Sequence, residues 1–117
     1  SQQMRCILLV HSGASGIMSA AMYAGVPSIV VPAGFEQNAN AMWLKSMGIG
    51  IETSFMDKLT FGELGNKIRA MLNNQGMRVA SREVAKAIRA ETGVANAVEL
   101  IEGFLQEQGG DKIVEPP

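Results

Sequence analysis

Between Cys6 and Phe35 the chain carries no Asp, Glu, Lys or Arg, and this stretch constrains the fold more than any other. In length and polarity it suits a membrane span. However, Gly13, Gly16, Gly25, Pro27, Pro32, His11 and the serines at 12, 15, 19 and 28 break it up. It is better read as short pieces that bury one another. Cys6-Ile7-Leu8-Leu9-Val10 is a continuous apolar, partly β-branched run, the pattern of a strand buried on both faces of a parallel sheet. His11 to Gly16 is a loop of small residues. Ile17 to Ala24 reads as a short helix, stopped by Gly25 at C′ and Pro27 beyond it. Ser28 to Val31 reads as a second buried strand, closed by Pro32. Asn38 to Met47 then reads as a helix ended by Gly48, and Ile49 to Glu52 as a third strand. The βαβαβ alternation implies an α/β fold, a Rossmann-like half-sheet of parallel strands with right-handed crossovers.

Beyond Asp57 charge is frequent and the pattern turns helical. Thr60 and Glu63 form a capping box, followed by Phe61, Leu64, Ile68, Met71 and Leu72 on one face. A helix from Met77 to about Thr92 points Met77, Ala80, Val84 and Ile88 inward. A last helix stripes Val94, Ala97, Val98, Ile101, Phe104 and Leu105. Residues 1–108 are expected to form the ordered unit and 109–117 a flexible tail.

With 117 residues there is room for one domain at most, and an opening on Ser-Gln-Gln ahead of a central strand suggests a piece of a longer one. A net charge of −1 gives no basic excess for nucleic acid. No transmembrane segment is expected, so the location implied is the cytoplasm or the cytosolic face of a membrane. The lone Cys6 allows neither an internal disulfide nor a zinc cluster, and reads as a small core residue. Trp43 and Met47, one turn apart, are expected to pack on the sheet, and the eight methionines to fill core gaps. Tyr23, at the end of the first helix, is a candidate for a subunit contact.

Two loops could carry chemistry. His11 to Gly16 sits between strand and helix, where converging backbone N–H groups bind phosphate and side chains larger than Ser would block the approach. A tight turn alone would look the same. It matches neither the P-loop, which needs a following Lys, nor the dinucleotide fingerprint, whose glycine spacing differs. The second loop, Pro32 to Asn40, follows the carboxyl end of a strand, where open α/β sheets bind ligands. There Glu36 and Gln37 are adjacent acceptor and acceptor-donor groups suited to sugar hydroxyls, although an acidic residue at a helix start also favours the dipole.

Taken in order, His11–Gly16, Gly25-Val26-Pro27, Pro32, Glu36-Gln37-x-x-Asn40-Ala41 and Gly48-Ile49-Gly50 resemble the donor-binding half of the two-domain (GT-B) UDP-glycosyltransferase family. That family reads H-G-G-x-G-T-x-x-E-A-L, then G-V-P, then P-x-x-x-(D/E)-Q-x-x-N-A, then G-x-G. The resemblance covers nearly the whole chain and implies part of a GT-B C-terminal domain. It implies that Ser12, Gly13, Ala14, Ser15 and Gly16, with His11, hold the donor diphosphate, and that Glu36 and Gln37 hold the transferred sugar. Asn40 stands at the family's Asn, either as a ligand contact or as a helix residue bonded to backbone. Counted back from Gly25 without a gap, the family's diphosphate His falls on Ser12, its Thr on Ile17 and its ribose-binding Glu on Ala20. A one-residue gap gives His11 the diphosphate role instead, and Ala20 still cannot bind ribose.

The activity implied is transfer of a sugar from a nucleotide diphosphate sugar, a UDP-sugar by the resemblance, to an acceptor hydroxyl. The donor enters as substrate, with no cofactor and no metal. In the family the catalytic base and acceptor pocket belong to an N-terminal domain, so this chain alone should be inactive. The alternative is a non-catalytic or split-enzyme subunit that assembles with a separate acceptor-binding chain. The narrow sheet also offers an edge through which two copies could pair.

Overall fold

The computed structural model describes residues 6–91 and 101–103. Seven elements follow in order: β1 (Leu9–His11), α1 (Ser15–Ala24), β2 (Ser28–Val30), α2 (Phe35–Ser46), β3 (Gly50–Glu52), α3 (Phe61–Leu72) and α4 (Gln75–Ala90). The strands form one parallel sheet in the order β1-β2-β3. Leu9 pairs with Ser28 and Val10 with Ile29, while Ile29 also pairs with Ile51 on the other side. Because the strands are parallel, the loops after His11, Val30 and Glu52 leave the same end of the sheet.

The α/β alternation is as the sequence implies, and β2 is its buried centre: Ser28, Ile29 and Val30 are all enclosed. Around Val30 gather Ala41 and Leu44 of α2 and Ile49. Met18 and Met22 of α1, and Ala80 and Val84 of α4, pack against that cluster. Gly25 ends α1 in the left-handed conformation at φ +75, as a C′ glycine does, and its N–H bonds back to Ala21 and Met22. A salt bridge of 3.0 Å between Lys45 and Glu52 ties the end of α2 to β3.

Several expectations need correction. The run from Cys6 is not a strand buried on both faces. Among the described residues pairing starts only at Leu9, β1 has the single neighbour β2, and Ile7 and Val10 are 55% and 42% exposed. Cys6 is exposed, not a core residue. Trp43 and Met47 do not pack on the sheet. α2 turns its small and medium side chains, Ala41 and Leu44, inward, which leaves Trp43 46% exposed on another face. The methionines divide: Met71 is buried and Met18 and Met22 line the core, whereas Met42, Met47 and Met56 are exposed. Phe61 at the exposed start of α3 and Leu72 at its exposed end both lie outside the face that Leu64, Ile68 and Met71 turn inward. The Tyr23 ring is covered within this chain by the Arg89 guanidinium, 4.7 Å from its centroid. Thr60 caps α3 by accepting from the Glu63 N–H, but the Glu63 carboxylate accepts from the Ser54 amide, so the box is only half closed. α4 does turn Ala80 and Val84 to the core, but its most buried members are Ser81 and Ala85, which lie outside the expected stripe. The last helix lies mostly, and the tail wholly, outside the described residues.

This packing makes a test. Leu44→Ala should lower the unfolding free energy by about 3 kcal/mol, the scale of a truncated core leucine. Trp43→Ala should cost about 1 kcal/mol or less, since half its surface is already in water. Urea titration of both variants checks it.

Candidate functional site

At the carboxyl end of the sheet two helices present their N-termini without a side-chain cap. Ala14 is the N-cap of α1 and Gly34 that of α2, and neither supplies an acceptor. The first intrahelical bonds are Met18 N–H to Ala14 O and Asn38 N–H to Gly34 O. By helix geometry the amides of Ser15, Gly16 and Ile17 in α1, and of Phe35, Glu36 and Gln37 in α2, precede any intrahelical acceptor. Two such ends side by side form a field that favours an anion.

The loop before α1 is shaped around Gly13. It is buried at φ +91, and a Cβ there would lie 2.9 Å from both Gln37 O and Val30 Cγ1, so only glycine fits. Its N–H donates to His11 Nδ1 at 3.0 Å. Its carbonyl accepts from Asn40 Nδ2 at 2.8 Å. Both sequence-expected loops therefore meet at one point: His11, Gly13, Gln37 and Asn40 are assembled, with Ala14 to Gly16 continuing into α1. Ser12 and Ala14 are half-buried and Ser15 is exposed. On α2, Glu36 is exposed and Gln37 half-buried, with Gln37 Oε1 lying 3.1 Å from where a Gly34 Cβ would stand. Ala20, at the family's ribose-binding position, is buried in α1.

His11 thus accepts a hydrogen bond from a backbone amide through Nδ1. With Nδ1 accepting, the ring proton of the neutral imidazole belongs on Nε2, which is buried and has no partner. Burial holds its pKa down at about 4, so the ring is neutral throughout the physiological range.

Beside the α2 N-terminus lies an open recess of about 560 Å³ lined by Phe35, Phe55 and Met56, with Asp57 and Lys58 at the same loop. Phe35 and Phe55 meet edge to face, 5.9 Å between centroids. The Met56 N–H bonds to Pro32 O at 2.8 Å, which draws the loop after β3 toward the start of α2. Sequence reasoning missed Phe55 and Met56. Neither belongs to a periodic pattern, and the only trace of their role is their position just past a parallel strand. Among the described residues no group of His, Cys, Asp or Glu could hold a metal ion.

The buried ring makes stability depend on pH. Unfolded, His11 titrates near 6.5, and folded at about 4, so the unfolded chain binds the extra proton between those values. Its contribution is complete above about pH 6.5 and is lost as pH falls toward about 4. His11 is the chain's one histidine. Unfolding free energy should therefore fall by roughly 1–2 kcal/mol from pH 7 to pH 5, allowing for partial solvent screening. His11→Gln should flatten that slope, which denaturant titration at each pH measures.

Residues 3–103 match the family described as erythromycin biosynthesis protein CIII-like, C-terminal domain. The chain is 36% identical over 107 residues to elloramycin glycosyltransferase ElmGT of Streptomyces olivaceus, covering 89% of this chain and 26% of that protein. It is 32% identical over 102 residues to O-mycaminosyltylonolide 6-deoxyallosyltransferase of Streptomyces fradiae, covering 87% and 24%. The fold superposes on glycosyltransferase VinC, solved in complex with dTDP, with a TM-score of 0.69 at 21% identity over 87% of this chain and 26% of that one. The chain thus spans about a quarter of the length of each of these three proteins. No helix among the described residues is long and apolar enough to cross a membrane. With the parallel sheet and the order of its motifs, these matches show that the chain belongs to the erythromycin CIII-like glycosyltransferases, as a C-terminal part of their GT-B fold.

Proposed function

We propose that the chain is the donor-binding part of a glycosyltransferase, moving a sugar from a nucleotide diphosphate sugar to an acceptor hydroxyl. The observation that carries this reading is the junction at Gly13, where an anion-favouring helix end lies against the helix that bears Glu36 and Gln37. The donor diphosphate lies across the N-terminus of α1 and takes hydrogen bonds from the amides of the Ala14–Gly16 segment, with the Ser12 and Ser15 hydroxyls in reach of the same loop. The Gly13 amide is engaged by His11, so this pair shapes the loop around the phosphates. Glu36 and Gln37, at the first turn of α2, hold the hydroxyls of the transferred sugar.

In the reaction the acceptor oxygen bonds to the anomeric carbon as the bond from that carbon to the phosphate oxygen breaks. The nucleoside diphosphate departs with the electron pair, and the acceptor proton goes to a base. The base and the acceptor pocket come from outside this chain. What these residues contribute is stabilisation of charge: fixed amides meet the negative charge that builds on the leaving diphosphate, with no reorganisation at the moment of transfer. VinC, solved with dTDP, and the deoxysugar transferase of S. fradiae support a nucleotide-sugar donor without fixing its base.

In the intact gene product, Glu36→Ala and Gln37→Ala should each lower kcat/KM for the sugar donor by roughly 10- to 100-fold, the scale of lost hydrogen bonds in a closed site. Affinity for the bare nucleoside diphosphate should change less than about threefold, because these side chains face the sugar. An equal loss for both ligands would remove the sugar assignment. The 117-residue chain alone should transfer nothing from UDP-glucose, and measurable transfer would overturn that part of the reading.

A further inference from the structure

We infer that Asn40 is a positioning residue that binds the diphosphate loop to the sugar-binding helix, so that the two halves of donor recognition act as one unit. This rests on the donor-site reading above. Asn40 lies one turn beyond Glu36 and Gln37 on α2, yet its amide is spent neither on solvent nor on its own helix. Nδ2 donates across 27 residues of chain to the carbonyl of Gly13 at 2.8 Å, in partly buried surroundings where such a bond is not readily replaced by water. The preceding peptide unit of the same residue is held as well, where Gly13 N–H donates to His11 Nδ1. Gly13 is therefore pinned from β1 by His11 and from α2 by Asn40, with Gln37 O and Val30 packed where a side chain would be. The direction in which the next amides enter α1 follows from the orientation of residue 13.

One consequence is that Asn40 affects phosphate binding without touching phosphate. Its loss frees the Gly13 carbonyl and lets the 12–15 loop rotate away from α2. The charge-facing amides lose their alignment, while groups that recognise the nucleoside are unaffected.

The test is calorimetric titration of the intact gene product, unaltered and as Asn40→Ala and Asn40→Asp, with dTDP and UDP and with the matching monophosphates. Asn40→Asp keeps the side-chain volume but turns a donor into an acceptor facing a carbonyl. Both variants should bind the diphosphate roughly tenfold more weakly, the scale of one lost hydrogen bond at a preorganised loop. Their affinity for the monophosphate should change less than about twofold. Equal weakening toward both ligands, as general damage to the fold would give, overturns the assignment, and so does unchanged diphosphate affinity. Both of those results leave the donor-site reading standing. If the unaltered protein binds neither diphosphate, the donor-site reading fails and this inference fails with it.

Discussion

The peptide of Gly13 is where the structure is held together functionally. A three-stranded sheet with one buried strand leaves its loops weakly determined, and two of those loops must meet for the chain to have a site at all. They meet because residue 13 has no side chain. Val30 of β2 and the backbone of Gln37 occupy the volume a Cβ would need, and the backbone can adopt φ +91. Once that contact exists, the N–H and carbonyl of the same residue reach His11 and Asn40. A larger residue at 13 would separate α1 from α2, and the two uncapped helix ends would no longer face the same space.

The helix ends show why the fold was more legible than its boundaries. Alternation of apolar runs and small-residue loops was enough to place β1 through β3 and the helices between them. The starts of α1 and α2 were placed late, at Ile17 and Asn38, when the helices begin at Ser15 and Phe35. A helix start is usually visible in sequence as Ser, Thr, Asp or Asn reaching back to its first amides. Here Ala14 and Gly34 hold those positions and supply nothing. At α3, where Thr60 does cap, the expected start and the observed one coincide, although α4, capped by Asn74, also starts two residues before the expected Met77. An absent cap leaves amides unsatisfied, and a bound anion satisfies them, so the missing signal and the proposed site have one physical origin.

The candidate site was legible by residue type and order, less so by role. Glu36-Gln37-x-x-Asn40 and the His11–Gly16 loop were singled out, and the structure brings them together. That His11 would accept from Gly13, and that Asn40 would reach the same residue, could not be read from spacing. Both depend on where α2 sits on the sheet, which is set by the packing of Ala41 and Leu44 against Val30 and Ile49. Burial errors had a different origin. Cys6 to Val10 has the composition of a central strand, but composition reports what a segment can bury, not how many neighbours it has. As an edge, β1 has one.

That edge and the exposed apolar side chains belong to the same account. Ile7 and Val10 at β1, Phe35 at 88% exposure and Phe61 at 96% are more apolar surface than a chain of this size ordinarily leaves in water. Scattered single residues would need no explanation, but Phe35 lines a recess with Phe55 and Met56 directly beside Glu36. The recess opens at the same end of the sheet as the two uncapped helix starts. The polar half of the proposed site is built from backbone amides and from side chains that meet at Gly13. The apolar half stands open. On the proposed donor reading, the charged end of a nucleotide sugar meets the polar half and its reacting carbon lies toward the apolar one. Under the proposed reading, then, these residues supply the fixed amides and polar side chains of the donor side, and the open apolar recess marks the side on which a further surface would have to close.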